Sequence, residues 1–381
     1  MKIGIYGGSF DPPHIEHINL CVNAVKSLNL DRLFIVPAKI PPHKKVQPIS
    51  GEYRLEMVKL ALSNVDVPQI TVSDFELNSA GKSYTYLTIE HFKSLYKDAQ
   101  IYFLMGTDML ENFPTWKEPK AILNMAKLYV FGRDGESMER AKQVFLNAFP
   151  DRLNSLVFAN FSGKMVSSTH VRHMLTLGLD AKEFLYQNVI DYIKSNNLYF
   201  CEKAEFVKKS LSISRLTHTL GVMDLAKAYA KKLGEDENKA VLAAMLHDVA
   251  KYMDKNDFPS FSLPLDVPKP VIHQYLGAYV AEHVLGVTDI DILNAIRYHT
   301  TGRSNMSRLE KIVFTADLLE VGRTYDEAPI LREAVDKDFD AGFSLSVKRL
   351  LNYLTKQGQP IYYLTKECYN YYVNENGNTK N

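Results

Sequence analysis

The pattern of apolar and polar positions changes near the middle of the chain. In the first half, short apolar runs rich in branched residues recur at 2–6, 33–37, 70–72, 101–105, 128–131 and 156–158. Segments with the spacing of amphipathic helices lie between most of them, at 15–28, 53–63 and 84–96. Strands that alternate with helices are typical of a parallel sheet with flanking helices. The first half therefore predicts an α/β, Rossmann-like domain.

Beyond about residue 200 the strand pattern ends and helical spacing takes over. It recurs at 216–233, 239–251, 272–285, 290–299 and 309–320, which predicts an all-α domain. Polar stretches at 194–197 and 201–203 mark the boundary. We therefore expect one domain at 1–197, a second at 205–365, and a disordered polar tail at 374–381.

Composition narrows the class of protein. The 381 residues are too many for one ordinary core, and a net charge of +1 argues against a broad nucleic-acid-binding surface. Cys21, Cys201 and Cys368 are too scattered for a disulfide framework and form no Cys-x-x-Cys zinc motif. Without a charged leader or a long apolar run, neither secretion nor membrane spanning is indicated. We expect a cytoplasmic protein without nucleic-acid or membrane partners, and the sequence leaves its oligomeric state open.

The end of the first strand carries a group of residues suited to phosphate. It reads Gly7-Gly8-Ser9-Phe10-Asp11-Pro12-Pro13-His14-Ile15-Glu16-His17. Glycines let backbone amides approach phosphate oxygens, and the helix that starts near His14 points its positive end at the same place. His14 and His17 lie on one face of its first turn and can donate to one phosphate chain. The alternative is a plain turn, with the histidines as a cap and a surface residue.

Three other fragments follow the same logic. Pro41-Pro42-His43-Lys44 is a stiff loop with a cation, and Gly106-Thr107-Asp108 follows an apolar strand. The run 166–172, Val-Ser-Ser-Thr-His-Val-Arg, places hydroxyls before a helix that carries an arginine. Each is weak alone, since Ser-Ser-Thr is often an ordinary N-cap. Their order and their placement at strand ends strengthen the set.

Over residues 1–195 these motifs resemble bacterial nicotinate-nucleotide adenylyltransferases of the nucleotidyltransferase superfamily. Such enzymes join ATP to nicotinate mononucleotide, giving the deamido form of NAD and pyrophosphate. The resemblance implies direct attack of the mononucleotide phosphate on the α-phosphorus of ATP, with Mg²⁺ neutralising the leaving pyrophosphate. It assigns catalytic roles to His14, His17, Lys44 and Arg172.

The same resemblance implies the substrate contacts. The phosphates would be bound by Ser168, Thr169 and Arg172, and the adenosine side by Asp108. Trp116, the only tryptophan, would lie against the pyridine ring unless it is an ordinary buried aromatic. Tyr84-Thr85 would face the nicotinate carboxylate. The complete implied binding set is Gly7, Gly8, Ser9, Phe10, Asp11, Tyr84, Thr85, Gly106, Asp108, Trp116, Ser168 and Thr169.

One position departs from the family pattern. The family has glycine between the two histidines, where this chain has Glu16. A carboxylate beside the triphosphate would repel it, so we expect the Glu16 side chain to point away from ATP.

The helical half carries a second set of residues with metal-binding chemistry. Imidazoles and carboxylates recur there as His218, His247, Asp248, His273, His299 and Asp317. Such groups suit Fe, Mn, Zn and other first-row ions, and in helical bundles they project inward from separate helices. Each histidine alone is more often a surface or hydrogen-bonded residue, but the whole set reverses that balance.

The order of these residues resembles the HD phosphohydrolase superfamily, and more closely bacterial symmetrical diadenosine-tetraphosphate hydrolases, over residues 205–365. The resemblance implies one metal held by His218, His247, Asp248 and Asp317. Asp248 would bridge to a second metal held by His273 and His299. Two Fe or Mn ions would activate a bridging water, giving two ADP. Candidate contacts to the polyphosphate are Lys251, Thr300, Arg303 and Lys311.

Together the two halves predict a bifunctional enzyme with small-molecule substrates: ATP, nicotinate mononucleotide and diadenosine tetraphosphate. Alternatives remain for each half. The first could use pantetheine phosphate or nicotinamide mononucleotide. The second could hydrolyse another nucleotide, or bind nucleotides as a sensor without turnover.

Overall fold

The computed structural model describes residues 1–40, 49–132, 135–159, 161, 163 and 166–374. The chain separates into two compact units. The first unit comprises Met1–Arg172 and Asp180–Tyr199, and the second comprises His173–Leu179 and the chain from Phe200 onward.

The first unit contains a six-stranded sheet in which every pairing is parallel. The strands are β1 (Lys2–Gly8), β2 (Arg32–Pro37), β3 (Ile70–Val72), β4 (Gln100–Gly106), β5 (Ala126–Phe131) and β6 (Leu156–Phe158). Their order is β3-β2-β1-β4-β5-β6, so the chain reverses its direction across the sheet between β1 and β4. Open parallel sheets bind ligands at the carboxyl ends of the strands beside such a reversal, which here are Gly8 and Gly106.

Helices connect and cover these strands. They are α1 (Ile15–Leu28), α2 (Gly51–Leu62), α3 (Phe75–Asn78), α4 (Thr85–Leu95), α5 (Thr107–Asn112), α6 (Pro119–Met125), α7 (Gly135–Ala148), α8 (Ser168–Thr176) and α9 (Gln187–Ser195). The strands bury Ile3, Ile101 and Leu128 against Phe92 of α4 and Phe145 of α7. Strands covered on both faces read as continuous apolar runs, which is why the sequence located all six.

The described part of the second unit contains helices and turns but no strand. Its helices are α10 (Glu202–Ser210), α11 (Ile213–Leu233), α12 (Glu237–Leu246), α13 (Ile272–His283), α14 (Ile290–Arg297), α15 (Arg308–Leu319), α16 (Ala328–Lys337), α17 (Phe339–Lys356) and α18 (Tyr363–Tyr369), with a final π-helical turn at Asn370–Asn374. Helix α11 packs against α12 and α15, while α14 packs against α12, α13 and α15. The predicted fold class, a parallel α/β domain followed by an all-α domain, is confirmed.

One predicted helix end was wrong. The helix expected at 239–251 ends at Leu246, because the backbone then makes tighter bonds from Val249 N to Leu246 O and from Lys251 N to Asp248 O. His173–Leu179 lies in the second unit, where the His173 imidazole is 2.6 Å from Asp224 of α11.

The expected tail at 374–381 falls largely outside the described residues. Asn374 itself ends the π-helical turn, and residues 375–381 are not described. Among the described helices, none combines the length and the apolar character needed to cross a bilayer.

Candidate functional site

A cavity of about 680 Å³ opens in the first unit where β1, β4 and β5 end. Many of the residues singled out from the sequence line it: Gly7, Gly8, Ser9, Phe10, His17, Tyr84, Thr85, Asp108 and Trp116. Residues that follow β1 and β4 therefore meet in one space, as the topology requires, whereas Asp11, His14, Gly106, Ser168, Thr169 and Arg172 do not line it.

Two glycines at this edge have no room for a side chain. A Cβ on Gly8 would lie 3.0 Å from the Phe10 ring, and a Cβ on Gly106 would lie 2.6 Å from Oδ1 of Asp108. The Asp108 carboxylate thus folds over the end of β4. Gly8 lines the cavity, so its backbone is accessible there.

His14 and His17 stack at the start of α1, with ring centroids 3.6 Å apart. The backbone N–H of His14 donates to His17 Nδ1 at 3.0 Å. Because Nδ1 accepts, the proton of a neutral His17 ring resides on Nε2. His17 lines the cavity. Its remaining N–H is therefore a donor available for a phosphate oxygen.

Burial sets the protonation of this pair. It lowers the pKa of His14 to about 4. Burial, reinforced by the charge that His14 can carry, holds the pKa of His17 well below its ordinary value. At neutral pH both rings are uncharged N–H donors rather than permanent cations.

The remaining predicted phosphate residues surround the Asp11-Pro12 turn. Arg172 donates to the Asp11 carbonyl at 2.5 Å and to Thr169 Oγ1 at 3.0 Å. Ser168 Oγ donates to the Pro12 carbonyl at 3.0 Å. Ser168 and Thr169 lie in the first turn of α8 rather than before it. These side chains therefore hold the turn that follows the Gly7-Gly8 strand end.

Asp11 itself is fully buried, and its Oδ1 accepts from Tyr199 at 2.6 Å. Arg54 of α2, which is 1% exposed, reaches the same segment. It donates to the Ser9 carbonyl at 2.6 Å and to the Ala38 carbonyl at 2.7 Å. The sequence reasoning missed Arg54, because its partners are backbone atoms that leave no trace in the sequence.

Trp116 stands at another part of the cavity, edge-on to Phe103 at 6.1 Å and tilted against Phe113 at 5.4 Å. The neighbouring Lys117 also lines the cavity, and its Nζ lies 4.4 Å from the Tyr84 ring centroid. A cation over an aromatic face is attracted by the ring. A fixed aromatic plane and a positive charge are thus adjacent in the cavity wall.

The segment before α4 is tied to the end of β2. Ser83 Oγ accepts from the Lys39 backbone N–H at 2.9 Å, and Lys39 Nζ donates to the Ser79 carbonyl at 2.9 Å. Beneath them, Thr88 donates to buried Glu76 at 2.6 Å. Burial raises the pKa of the Glu76 carboxyl despite that bond.

Glu16 lies beside Gly163, where any added side chain would collide with Glu16 Oε2. Its Oε1 accepts from Asn19 at 3.4 Å. Among the described residues that line the cavity, Glu16 is absent. This placement agrees with the orientation expected from the sequence.

In the second unit, the six predicted metal ligands lie together, their atoms forming three overlapping groups whose members are within 4.8 Å of one another. His218 Nε2 lies 3.0 Å from Asp317 Oδ1, and His273 Nε2 lies 3.2 Å from Asp248 Oδ1. His299 Nε2 is 3.2 Å from His273 Nε2. His247 Nε2 is 3.4 Å from Asp248 Oδ2.

These nitrogen and oxygen atoms are suited to coordinating a divalent metal rather than to hydrogen bonding with one another. His218 Nε2, His247 Nε2 and Asp248 Oδ1 are buried, and each lies 3.0–3.4 Å from another atom of the cluster without the geometry of a hydrogen bond. Buried polar atoms without partners are costly unless something else coordinates them. Imidazole and carboxylate together suit first-row metals.

Protonation also favours coordination. Burial lowers the pKa of His273 to about 4, leaving a neutral ring with a free lone pair. Burial alone would raise the pKa of Asp248, but the surrounding imidazoles, His247 foremost, hold it well below its ordinary value. The carboxylate is therefore ionised.

The far nitrogen of three imidazoles is occupied. Nδ1 of His247 donates to the Ala244 carbonyl at 2.6 Å, and Nδ1 of His299 donates to the Ile296 carbonyl at 2.7 Å. Nδ1 of His218 instead lies 3.1 Å from the Glu320 carboxylate. All three rings consequently present Nε2 to the cluster.

Polar side chains surround the metal-ligand cluster. Lys251 Nζ lies 3.3 Å from Asp248 Oδ1, and Thr300 Oγ1 lies 3.0 Å from His299 Nε2. Arg215 reaches Asp248 at 2.9 Å, and Arg323 reaches Asp317 at 2.8 Å. Both arginines were missed, although Arg215 precedes His218 by three residues on α11 and so shares its face.

The other two predicted polyphosphate contacts lie in different surroundings. Arg303 is paired with Glu310 at 2.8 Å, and Lys311 is paired with Asp340 at 2.9 Å. Lys251 and Thr300 are thus brought to the cluster, whereas Arg303 and Lys311 are engaged by acidic partners. Lys44 lies outside the described residues.

Comparisons with known proteins agree with this division. A family model described as cytidylyltransferase-like matches residues 5–174, and one described as HD domain matches residues 215–322. A Mycoplasma genitalium protein named probable nicotinate-nucleotide adenylyltransferase/Ap4A hydrolase is 30% identical over 333 residues, covering 86% of this chain and 89% of the relative. This chain belongs to that two-domain family.

Other known proteins match one half of the chain each. A Clostridium tetani protein named probable nicotinate-nucleotide adenylyltransferase is 36% identical and covers 52% of this chain and 98% of its own length. A Clostridium acetobutylicum crystal structure, described as a predicted HD superfamily hydrolase involved in NAD metabolism, is 34% identical, with a TM-score of 0.43. It covers 45% of this chain and 95% of its own chain.

Both resemblances inferred from the motifs are confirmed by these matches. The HD match and the cluster of histidines and aspartates together make the second unit a divalent-metal-binding domain.

Proposed function

We propose that the protein is a bifunctional enzyme of NAD and nucleotide metabolism. The first unit transfers the adenylyl group of ATP to nicotinate mononucleotide, and the second hydrolyses diadenosine tetraphosphate to two ADP. The observation that supports the proposal is that His17, Asp108 and Trp116 line one cavity in the first unit, while the six candidate metal ligands lie together in the second. The relatives' names supply the substrates.

In the first reaction, an oxygen of the mononucleotide phosphate attacks the α-phosphorus of ATP, and the bond to the β-phosphate breaks. The Nε2–H of His17 and the backbone at Gly7 and Gly8 stabilise charge on the phosphates. His14 fixes the tautomer of His17 through its backbone N–H. When bound, Mg²⁺ neutralises the leaving pyrophosphate.

Arg172, Ser168 and Thr169 bind the outer phosphates while holding the Asp11-Pro12 turn, and Lys44 adds a further cation. Asp108, Ser9, Phe10 and Gly106 contact the adenosine side. This arrangement positions substrates and needs no covalent intermediate.

The pyridine side of the cavity suits an acid. Trp116 offers its ring face, Tyr84 and Thr85 begin α4 with its positive helix end, and Lys117 adds a charge. These features favour nicotinate over the neutral nicotinamide.

Product analysis tests this half. With ATP and Mg²⁺, the protein should convert nicotinate mononucleotide in clear preference to nicotinamide mononucleotide, and Trp116→Ala should erode that preference. Activity with pantetheine phosphate and none with nicotinate mononucleotide would overturn the assignment.

In the second reaction, water attacks one of the two central phosphorus atoms of diadenosine tetraphosphate. The bond from that phosphorus to the oxygen that bridges the two central phosphates breaks, which releases two ADP. We assign one metal to His218, His247, Asp248 and Asp317, and a second to Asp248, His273 and His299. When bound, two Fe or Mn ions supply an activated water and neutralise the leaving oxygen. Lys251 and Thr300 contact the polyphosphate, and we assign Arg303 and Lys311 to its outer parts.

The test is ion-exchange chromatography after incubation with diadenosine tetraphosphate and Mn²⁺ or Fe²⁺. ADP should be the sole nucleotide product. Metal bound without cleavage would point to another nucleotide substrate or to a sensor. The three described cysteines are free, which fits the reducing cytoplasm where we place both activities.

A further inference from the structure

The orientation of His218 depends on a side chain, unlike that of its two neighbours. Main-chain carbonyls hold His247 and His299. His218 Nδ1 is held by Glu320 Oε1 at 3.1 Å. Glu320 is 4% exposed, and its Oε2 accepts the Gly322 backbone N–H at 2.6 Å. The carboxylate is therefore fixed on both oxygens.

A glycine on the opposing helix makes room for this carboxylate. Gly221 follows His218 by three residues on α11, so both face α15. A Cβ at Gly221 would collide with Glu320 Oε2 and lie 3.1 Å from its Cδ. Any larger residue at 221 would force the end of Glu320 to move.

We propose that Glu320, seated against Gly221, is a positioning residue that fixes the tautomer and the ring orientation of His218 for metal binding. A carboxylate on Nδ1 keeps the proton there, presents the Nε2 lone pair to the metal and raises the basicity of the ring. This inference rests on the proposed metal centre, because Glu320 acts only through His218 and does not itself contact substrate or metal.

The first test compares two buried glutamates of similar exposure at the two ends of α15. Glu320→Gln should weaken Mn²⁺ binding about 10- to 100-fold, measured by competition with a chelator. Glu310→Gln is the matched control, because Glu310 is 1% exposed but binds Arg303 rather than a proposed ligand. Its Mn²⁺ affinity should equal that of the unaltered protein.

The second test displaces Glu320 without replacing it. Gly221→Ala should weaken Mn²⁺ binding in the same range, while the melting temperature of metal-free protein stays level or rises, since alanine favours the helix. Gly277→Ala is the control, because a methyl there would meet its nearest atom, Ile296 Cγ2, at 3.4 Å. The double variant Gly221→Ala/Glu320→Gln should bind no more weakly than Glu320→Gln alone.

The outcomes separate this inference from the function on which it rests. Unaltered protein that fails to bind Mn²⁺ would overturn the metal centre itself. Unaltered protein that binds Mn²⁺, with Glu320→Gln and Gly221→Ala binding equally well, would overturn the role of Glu320. A lower metal-free melting temperature with full Mn²⁺ affinity would make Glu320 merely structural.

Discussion

The two histidines of the first site owe their chemistry to burial. In water an imidazole is about half protonated near pH 6.5, but burial keeps His14 and His17 uncharged at neutral pH. Neutral rings donate through one nitrogen each, so the tautomer decides whether a phosphate meets a donor. The bond from His14 N to His17 Nδ1 makes that decision.

Burial of His14 also predicts how stability responds to acid. Its folded pKa of about 4 lies below the unfolded value, so the unfolded chain binds more protons and stability falls as the pH falls. Between about pH 7 and pH 4, His14→Gln should remove about 3 kcal/mol of that fall. Urea unfolding followed by Trp116 fluorescence reports the first unit, since Trp116 is the sole tryptophan. Parallel curves for the two proteins would contradict the assignment.

At the level of single residues, the sequence was sufficient to identify side chains that belong to a recognisable motif. It missed Arg54 and Glu320, which act through partners far away along the chain. Arg54 binds a carbonyl 45 residues away, and Glu320 binds an imidazole 102 residues away. Such pairs depend on packing, which no local spacing reveals.

Among the elements, the strands were predicted closely and the helix ends less well. Apolar runs define a buried parallel strand, and α1 begins and ends where its pattern predicts. Helix α12 stops before His247 because tighter turns take over, and this lets His247 and Asp248 face the metal-ligand cluster. Hydrogen bonding of the final turn, not periodicity, sets such an end.

The tie between the end of β2 and the start of α4 gives a prediction at this scale. Ser83→Ala removes the acceptor for Lys39 N–H, so the segment before Tyr84 loses one of its ties to the end of β2, while the bonds from Ser83 N to Ile40 O and from Lys39 Nζ to Ser79 O remain. We expect KM for nicotinate mononucleotide to rise about fivefold, corresponding to one hydrogen bond. Ser79→Ala is the control, because Ser79 Oγ bonds only locally to the Phe75 carbonyl. Its KM should stay within about twofold, and equal effects of the two variants would refute the idea.

At the scale of the whole molecule, each site takes its described side chains from one unit. Composition and motif order were enough to predict two domains with separate chemistry. The assignment of His173–Leu179 to the second unit was beyond reach, because it depends on the contact with Asp224.

This separation predicts two independent losses of function. His17→Ala should lower adenylyl transfer about 100-fold through the loss of one donor, leaving hydrolysis intact. Asp248→Ala should abolish metal binding and hydrolysis while adenylyl transfer continues. Chromatography of both reactions and metal analysis provide the readout. Full metal retention in Asp248→Ala would contradict its role as the bridging ligand.

The manner in which the imidazoles are held has a consequence for how this protein can evolve. No side-chain replacement outside the ligands can remove the main-chain carbonyls that orient His247 and His299. His218 is different, because exchange of one supporting residue changes its basicity. A substitution of Glu320 alone could therefore adjust the preference for a scarcer or more abundant metal without changing the rest of the centre.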